Sequence, residues 1–279
     1  MNIPLKWTDF ALDIGSTHVR VFEADKGVVL DAPIEDLLDE TTSLDHGERL
    51  AAVCRAAFIR VGARRRFVSR IKRVVLSVPS GIGEVEKRVY EDAVRRAGAR
   101  EVFLLESPMA AATGAGCEVS KAEATTVVDI GASHIQTVVI SLAGIVAVRE
   151  SARAEEVSPD RVADLVRALI SDCLSKGRYN LADDIARSGI VLTGGGAHAP
   201  GLADSLQTAL NLPVHIADDP QLAVIKGAGV VLGQLDGLRR SRAKTPTNWT
   251  GLLIFIFLVA IVSNRLVKLV KDVIGLFAR

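Results

Sequence analysis

Two short stretches of this chain could grip a polyphosphate. Leu12-Asp13-Ile14-Gly15-Ser16-Thr17-His18-Val19 returns further on as Val128-Asp129-Ile130-Gly131-Ala132-Ser133-His134-Ile135. In each copy an apolar strand ends in Asp-x-Gly and a hydroxyl residue follows. That order turns the backbone so that successive N–H groups point one way and form a small anion nest. Asp13, Gly15, Ser16 and Thr17 make up the first such hairpin, and Asp129, Gly131 and Ser133 the second. Asp13 and Asp129 could each hold Mg²⁺ through water, because that ion keeps much of its hydration shell and takes few protein carboxylates. Two hairpins facing each other would hold phosphates from both sides. Ordinary tight hairpins with Asp at the turn fit the same residues, but repetition of the whole pattern favours a ligand site. Gly194-Gly195-Gly196, after an apolar strand, would let a nucleobase or ribose approach the backbone closely; a plain strand-to-helix turn is the simpler alternative. His18 and His134 occupy equivalent places, either as a pair facing a ligand or as exposed turn residues inherited by duplication.

The elements that must position these residues are themselves repeated. After each Asp-x-Gly a second strand is expected (19–24; 137–142), then a turn at Gly27 or Gly144 and a third strand, so both copies read as three-stranded meanders. Further on, a strand at 74–78 leads through Pro79-Ser80-Gly81 to a helix over 84–97, and a strand at 190–193 leads through the triple glycine to a helix over 202–210. Short strands follow at 101–105 and 214–216. A proline turn then opens a helix expected to end in Gly-Ala-Gly in each half: Pro108 to Gly114-Ala115-Gly116, and Pro220 to Gly227-Ala228-Gly229, proline suiting the first turn through its fixed φ and missing donor. Helices over 48–61 and 162–174 carry apolar residues at helical spacing. The economical architecture is two equivalent α/β domains around a cleft, where ligands usually sit.

Composition agrees and narrows the partners. The chain has 279 residues, 49% of them hydrophobic, enough for two cores. Lys and Arg total 34 against 33 Asp and Glu, so no charge excess points to nucleic acid. Cys54, Cys117 and Cys173 stand far apart and suit a reducing compartment. Residues 1–10 hold no long apolar run behind a basic start, so no cleaved secretory signal is expected. Arg239, Arg240, Arg242 and Lys244 open a basic linker over 237–248, and a tail over 249–279 follows. Its first part, with Trp249, Leu252, Ile254, Phe255, Phe257 and Leu258, is uncharged but falls short of the ~20 residues that span a bilayer upright. Its second part has an apolar stripe among Arg265, Lys268, Lys271 and Arg279, the pattern of an interfacial amphipathic helix. Either a tilted span or a helix lying in one leaflet fits. A further basic run, Arg60, Arg64, Arg65, Arg66, Arg70, Lys72 and Arg73, reads as a solvated loop or as a patch attracted to anionic lipid.

Ser77-Val78-Pro79-Ser80-Gly81-Ile82, Glu84-Val85-Glu86-Lys87-Arg88, Gly98-Ala99-Arg100-Glu101-Val102 and Pro108-Met109-Ala110-Ala111-Ala112 resemble the MreB branch of the actin and chaperone ATPase superfamily. So do Val127-Val128-Asp129-Ile130-Gly131 and Ile190-Val191-Leu192-Thr193-Gly194-Gly195-Gly196-Ala197, and the likeness runs in order over about residues 9–235. It implies an α/β, actin-like fold of two ribonuclease-H-like domains around a nucleotide cleft. Residues 1–118, with 220–236 returning to them, would form the first domain and 119–219 the second. The resemblance assigns the two hairpins to ATP phosphates, with Mg²⁺, and Gly194, Gly195 and Gly196 to the adenosine side.

Departures from the family pattern matter as much. Such proteins read Asp-Ile-Gly-Gly-Gly-Thr-Thr in the second hairpin, where this chain has Ala132, Ser133 and His134 after Gly131. They place two acidic residues before the Pro-Met-Ala-Ala-Ala helix, the second orienting the attacking water; here Glu106, the one remaining candidate for a catalytic residue, is followed by Ser107. Loss of such a carboxylate typically costs ~10²–10⁴ in rate. Little room is left at 28–47 and 150–161 for the outer subdomains. The expectation is a bacterial, membrane-anchored cytoskeletal scaffold on the cytoplasmic face of the inner membrane. It would assemble with itself into filaments and with membrane proteins of envelope synthesis or an organelle. It would bind ATP weakly and hydrolyse it slowly at most. A non-polymerising actin-fold adaptor is the alternative.

Overall fold

The computed structural model describes residues 6–38, 45–63, 69–153, 157–176 and 179–242. The chain up to Gly233 forms one compact unit. It holds two five-stranded sheets of the same design. In the first, β1 (Lys6–Ile14), β2 (His18–Glu23) and β3 (Gly27–Pro33) make an antiparallel meander, and β4 (Ser69–Val78) and β5 (Glu101–Glu106) add in parallel on the other side of β1. In the second, β6 (Thr125–Ile130), β7 (His134–Ser141) and β8 (Gly144–Ala152) form the meander, and β9 (Ile190–Thr193) and β10 (Val214–Ile216) extend it in parallel from β6. The meanders form because their strands are joined by turns of a few residues; the parallel strands need helical crossovers.

Those crossovers are α1 (His46–Arg60) and α2 (Glu84–Arg96) in the first half, and α4 (Pro159–Ser175), α5 (Tyr179–Ser188) and α6 (Leu202–Leu210) in the second, with α3 (Ser107–Gly114) joining the halves and α7 (Ala223–Arg242) at the end. Helix α1 starts earlier than its apolar pattern because the Asp45 carboxylate accepts the Glu48 N–H at 2.8 Å and caps it. Its buried face, with Leu50, Val53, Cys54, Ala57 and Phe58, joins Phe10, Leu12, Val74 and Leu76 of the sheet in one core. Val162, Val166, Ile190, Leu192, Leu202 and Leu206 form the corresponding core in the second half. Among its described residues, helix α5 carries Leu181 and Ile185 into a small cluster with Leu169 and Cys173, too little periodicity to be seen in the sequence.

Three expectations change. Strand β4 begins at Ser69, where a basic loop was expected. Within it Arg73 is buried and ion-paired with Asp9, so it does not belong to a surface patch. Helix α7 does not stop at Gly227-Ala228-Gly229 but runs to Arg242, into the stretch read as linker. The glycines serve packing there. A Cβ on Gly114 would lie 1.8 Å from the Ala223 carbonyl oxygen, one on Gly227 1.9 Å from that of Ala110, and one on Gly229 2.8 Å from the Phe22 ring. Helices α3 and α7 therefore cross with their backbones in contact, and α7 lies on β2 of the first sheet while α3 touches β6 and β7 of the second. Among the described residues no helix is long and apolar enough to cross a membrane. Trp249, Leu252, Ile254, Phe255, Phe257, Leu258 and the rest of the tail lie outside the described residues.

Candidate functional site

Each Asp-x-Gly turn closes the same way. The Gly15 N–H donates to the His18 carbonyl and the Gly131 N–H to the His134 carbonyl, both at 2.9 Å. Gly15, Ser16 and Thr17 are exposed, while Gly131 and Ser133 are half-buried. The histidines also behave alike: the ring of His18 meets the Thr17 hydroxyl at 3.1 Å and that of His134 the Ser133 hydroxyl at 2.7 Å.

Behind each turn lies a polar ladder across the meander, legible in the strand register. Asp13 stands opposite Arg20, and Arg20 opposite Asp31; Asp129 stands opposite Gln136, and Gln136 opposite Glu150. In the first half the middle group is a cation, whose Nε lies 3.0 Å from Asp31 and whose Nη1 lies 3.5 Å from Asp13. In the second half the neutral Gln136 amide donates to Glu150 at 3.2 Å. The neighbouring strands differ as well. Thr193 donates to the Asp129 carboxylate at 2.9 Å, whereas its counterpart Ser77, opposite Asp13, keeps its hydroxyl buried without a hydrogen-bond partner.

The hairpins are close enough to sense each other. Burial pushes the Asp13 carboxyl up to about 6; Arg20 opposes this, and the charge of Asp129 adds to it. Asp129 is likewise raised by burial, against the Thr193 hydrogen bond and the pull of Arg20. Arg20 is not marked by any motif, while Ser77 and Thr193 stand within family motifs that assign them no role; for Arg20 the available signal was a charge amid the alternation of β2, directly opposite a turn aspartate.

Gly194 and Gly196 are used by the fold. Gly194 has φ 81° and its added Cβ would lie 2.4 Å from the Ile130 carbonyl oxygen, and one on Gly196 would lie 2.2 Å from the Ile130 Cγ2. The Gly194 N–H also donates to the Pro220 carbonyl at 2.7 Å. Only Gly195 of the three is exposed with open space where a Cβ would be. Arg153, after β8, donates to the Gly131 carbonyl at 2.7 Å and braces the second turn from behind. At the end of β5, Glu106 is half-buried, and the Ser107 hydroxyl donates to the Val78 carbonyl at 3.0 Å, closing a local contact between β4 and α3.

Asp13 and Asp129 are the carboxylates that a hydrated Mg²⁺ would meet at these turns. Asp13 is already paired with Arg20, and Asp129 is bonded to Thr193. Among the described residues no group of three or more His, Cys, Asp and Glu is placed to hold a metal ion.

Two halves of identical strand order, joined by crossing helices and presenting paired Asp turns to one another, define an actin-like protein. The chain belongs to the MreB/Mbl family, whose profile, described as MreB/Mbl protein, matches residues 48–167 and 148–240. It is 31% identical to the cell shape-determining protein MreB of Escherichia coli K12 over 64% of this chain and 70% of that protein. It is 24% identical to the cell shape-determining protein Mbl of Bacillus subtilis 168 over 84% of this chain and 98% of that one. Among solved structures, MreB5 of Spiroplasma citri bound to AMPPNP superposes with a TM-score of 0.64 at 18% identity, covering 85% of this chain and 99% of that chain.

Proposed function

We propose that this protein is a membrane-anchored, MreB-type scaffold of the bacterial cell that assembles into filaments, takes an ATP-class nucleotide between its two hairpins, and hydrolyses it slowly at most. The observation that carries this is the pair of Asp turns, closed by the same hydrogen bond and held in the same strand register in the two halves of one actin-like fold. Nucleotide-bound MreB5 of Spiroplasma citri shares the fold.

Phosphate would rest on Ser16 and Thr17 from one side and Ser133 from the other, with Gly195 open toward the sugar or base. Binding is weakened by the second turn, where Ala132 and Ser133 stand in place of glycines and restrict how closely the backbone can approach an anion. Hydrolysis is limited because the Ser107 hydroxyl is spent on Val78 and is no carboxylate. The anchor is the tail over 249–279, which would hold the actin-like part on the cytoplasmic face of the inner membrane near proteins of envelope synthesis.

Head-to-tail contacts between copies are heterologous and generate open filaments. Confinement to a surface raises effective concentration, so weak contacts can polymerise there and not in solution. Cross-linking the full chain on anionic liposomes should give a ladder of oligomers that a form ending at Thr245 lacks at equal concentration. A strictly monomeric protein under both conditions, with and without ATP, would sink the filament reading in favour of a single-partner adaptor.

A further inference from the structure

We infer that Ser77 is the positioning residue of Asp13: with nucleotide in the cleft, its hydroxyl holds the Asp13 carboxylate as that of Thr193 holds Asp129 in the second half. This rests on the reading that the cleft takes nucleotide, and it deepens that reading. The repeat supplies the comparison. Ser77 of β4 is paired in parallel register with Asp13, and Thr193 of β9 with Asp129, so each hydroxyl stands beside a turn aspartate on the same face of its sheet. Thr193 donates to Asp129 at 2.9 Å. Ser77 is only 3% exposed and its oxygen has no hydrogen-bond partner, although a buried hydroxyl without one costs stability.

The surroundings point to Asp13 as its acceptor. On its other side Ser77 is paired with Leu105 of β5, whose side chain accepts nothing. The next carbonyl along β4, that of Val78, already receives the Ser107 hydroxyl. Asp13 in turn is held loosely. Arg20 Nη1 lies 3.5 Å from it, beyond ordinary hydrogen-bond length, while the Nε of the same side chain lies 3.0 Å from Asp31. With neighbouring strands about 4.8 Å apart, a turn of the Asp13 side chain brings its carboxylate to Ser77. A polyphosphate supplies the reason to turn. Its negative charge opposes a carboxylate that points into the cleft, and a hydrogen bond from Ser77 both stabilises the ionised group and fixes where it points.

The test is calorimetric titration of ATP with Mg²⁺ into the full chain in detergent, beside Ser77→Ala and Ser77→Thr, with the melting temperature of each protein measured without nucleotide. Alanine removes one atom, and threonine is the residue the second half carries at this place. Ser77→Ala should weaken ATP binding by about tenfold or more, the loss expected for a hydrogen bond to a charged group. Its melting temperature without nucleotide should stay within about 2 °C of wild type or rise, because the hydroxyl it removes has no partner to lose. Ser77→Thr should bind within about twofold of wild type. A Ser77→Ala protein that binds ATP as wild type does overturns the inference and leaves the nucleotide reading standing. A melting temperature lowered by more than about 2 °C in Ser77→Ala assigns Ser77 to the fold and also overturns it, as does a Ser77→Thr protein that melts like wild type but binds no better than alanine. Where threonine itself lowers the melting temperature, alanine alone decides. If wild type binds no ATP, the nucleotide reading fails and the inference with it.

Discussion

At Asp13, burial outweighs an adjacent guanidinium, and the carboxyl ends near 6 instead of its ordinary 3.8. Its folded value is raised, so its contribution to stability is complete below about pH 4 and is lost as the pH climbs through 6. A shift of this size corresponds to at most about 3 kcal/mol. Arg20, Asp31 and Asp129 face the group in both the wild type and Asp13→Asn. Urea unfolding of the two proteins should therefore show wild type losing stability relative to Asp13→Asn between pH 4.5 and pH 7.5; a constant difference would mean that Asp13 is solvated. Protonation also removes a negative charge from the place where phosphate would rest, so ATP should bind more tightly at pH 5.5 than at pH 7.5. Ser107 offers a separate check. Its hydroxyl serves Val78, so Ser107→Ala should change phosphate release by no more than about twofold, and a loss of the ~10²–10⁴ typical of a catalytic group would place it at the reacting water.

At the scale of elements, α3 and α7 cross with their backbones in contact. Neither Gly114 nor Gly227 has positive φ, so the need there is for absence of a side chain and not for a special backbone shape. Gly227→Ala should cost about 3 kcal/mol or more, since backbone on the other helix must move to admit a methyl group. Gly233, further along α7, is exposed with nothing near its missing Cβ. Gly233→Ala should instead stabilise by roughly 0.5–1 kcal/mol through helix propensity. Thermal unfolding of the two variants separates a crowded helix crossing from a general tolerance of alanine in α7. Equal effects would mean that the close approach does not exist in solution.

For the whole molecule, attachment to lipid should reside after Thr245. Liposome flotation of the full chain should survive 1 M salt, because burial of apolar side chains is unscreened whereas attraction between basic residues and anionic lipid acts over only ~3 Å at that ionic strength. A form ending at Thr245 should stay at the bottom of the gradient. If it floats equally well, the anchor is elsewhere, for instance in the basic run that precedes Arg73 in the sequence.

Local sequence by itself determined the repeated units: the Asp-x-Gly turns, the meanders they open, and strands such as Ile190–Thr193 and Val214–Ile216 follow from turn residues and apolar runs that act within a few positions. The equal strand orders of the two sheets follow from the same repetition. What the sequence could not decide was what each polar or glycine residue faces across the fold. Arg20 became a partner of Asp13 only through strand register, which sets it opposite the turn aspartate. Gly227 and Gly229 read as a helix end because glycine ends helices when nothing else explains it. Tertiary packing explained them otherwise, by bringing the Ala110 carbonyl and the Phe22 ring to where their side chains would have been, over a hundred residues away along the chain.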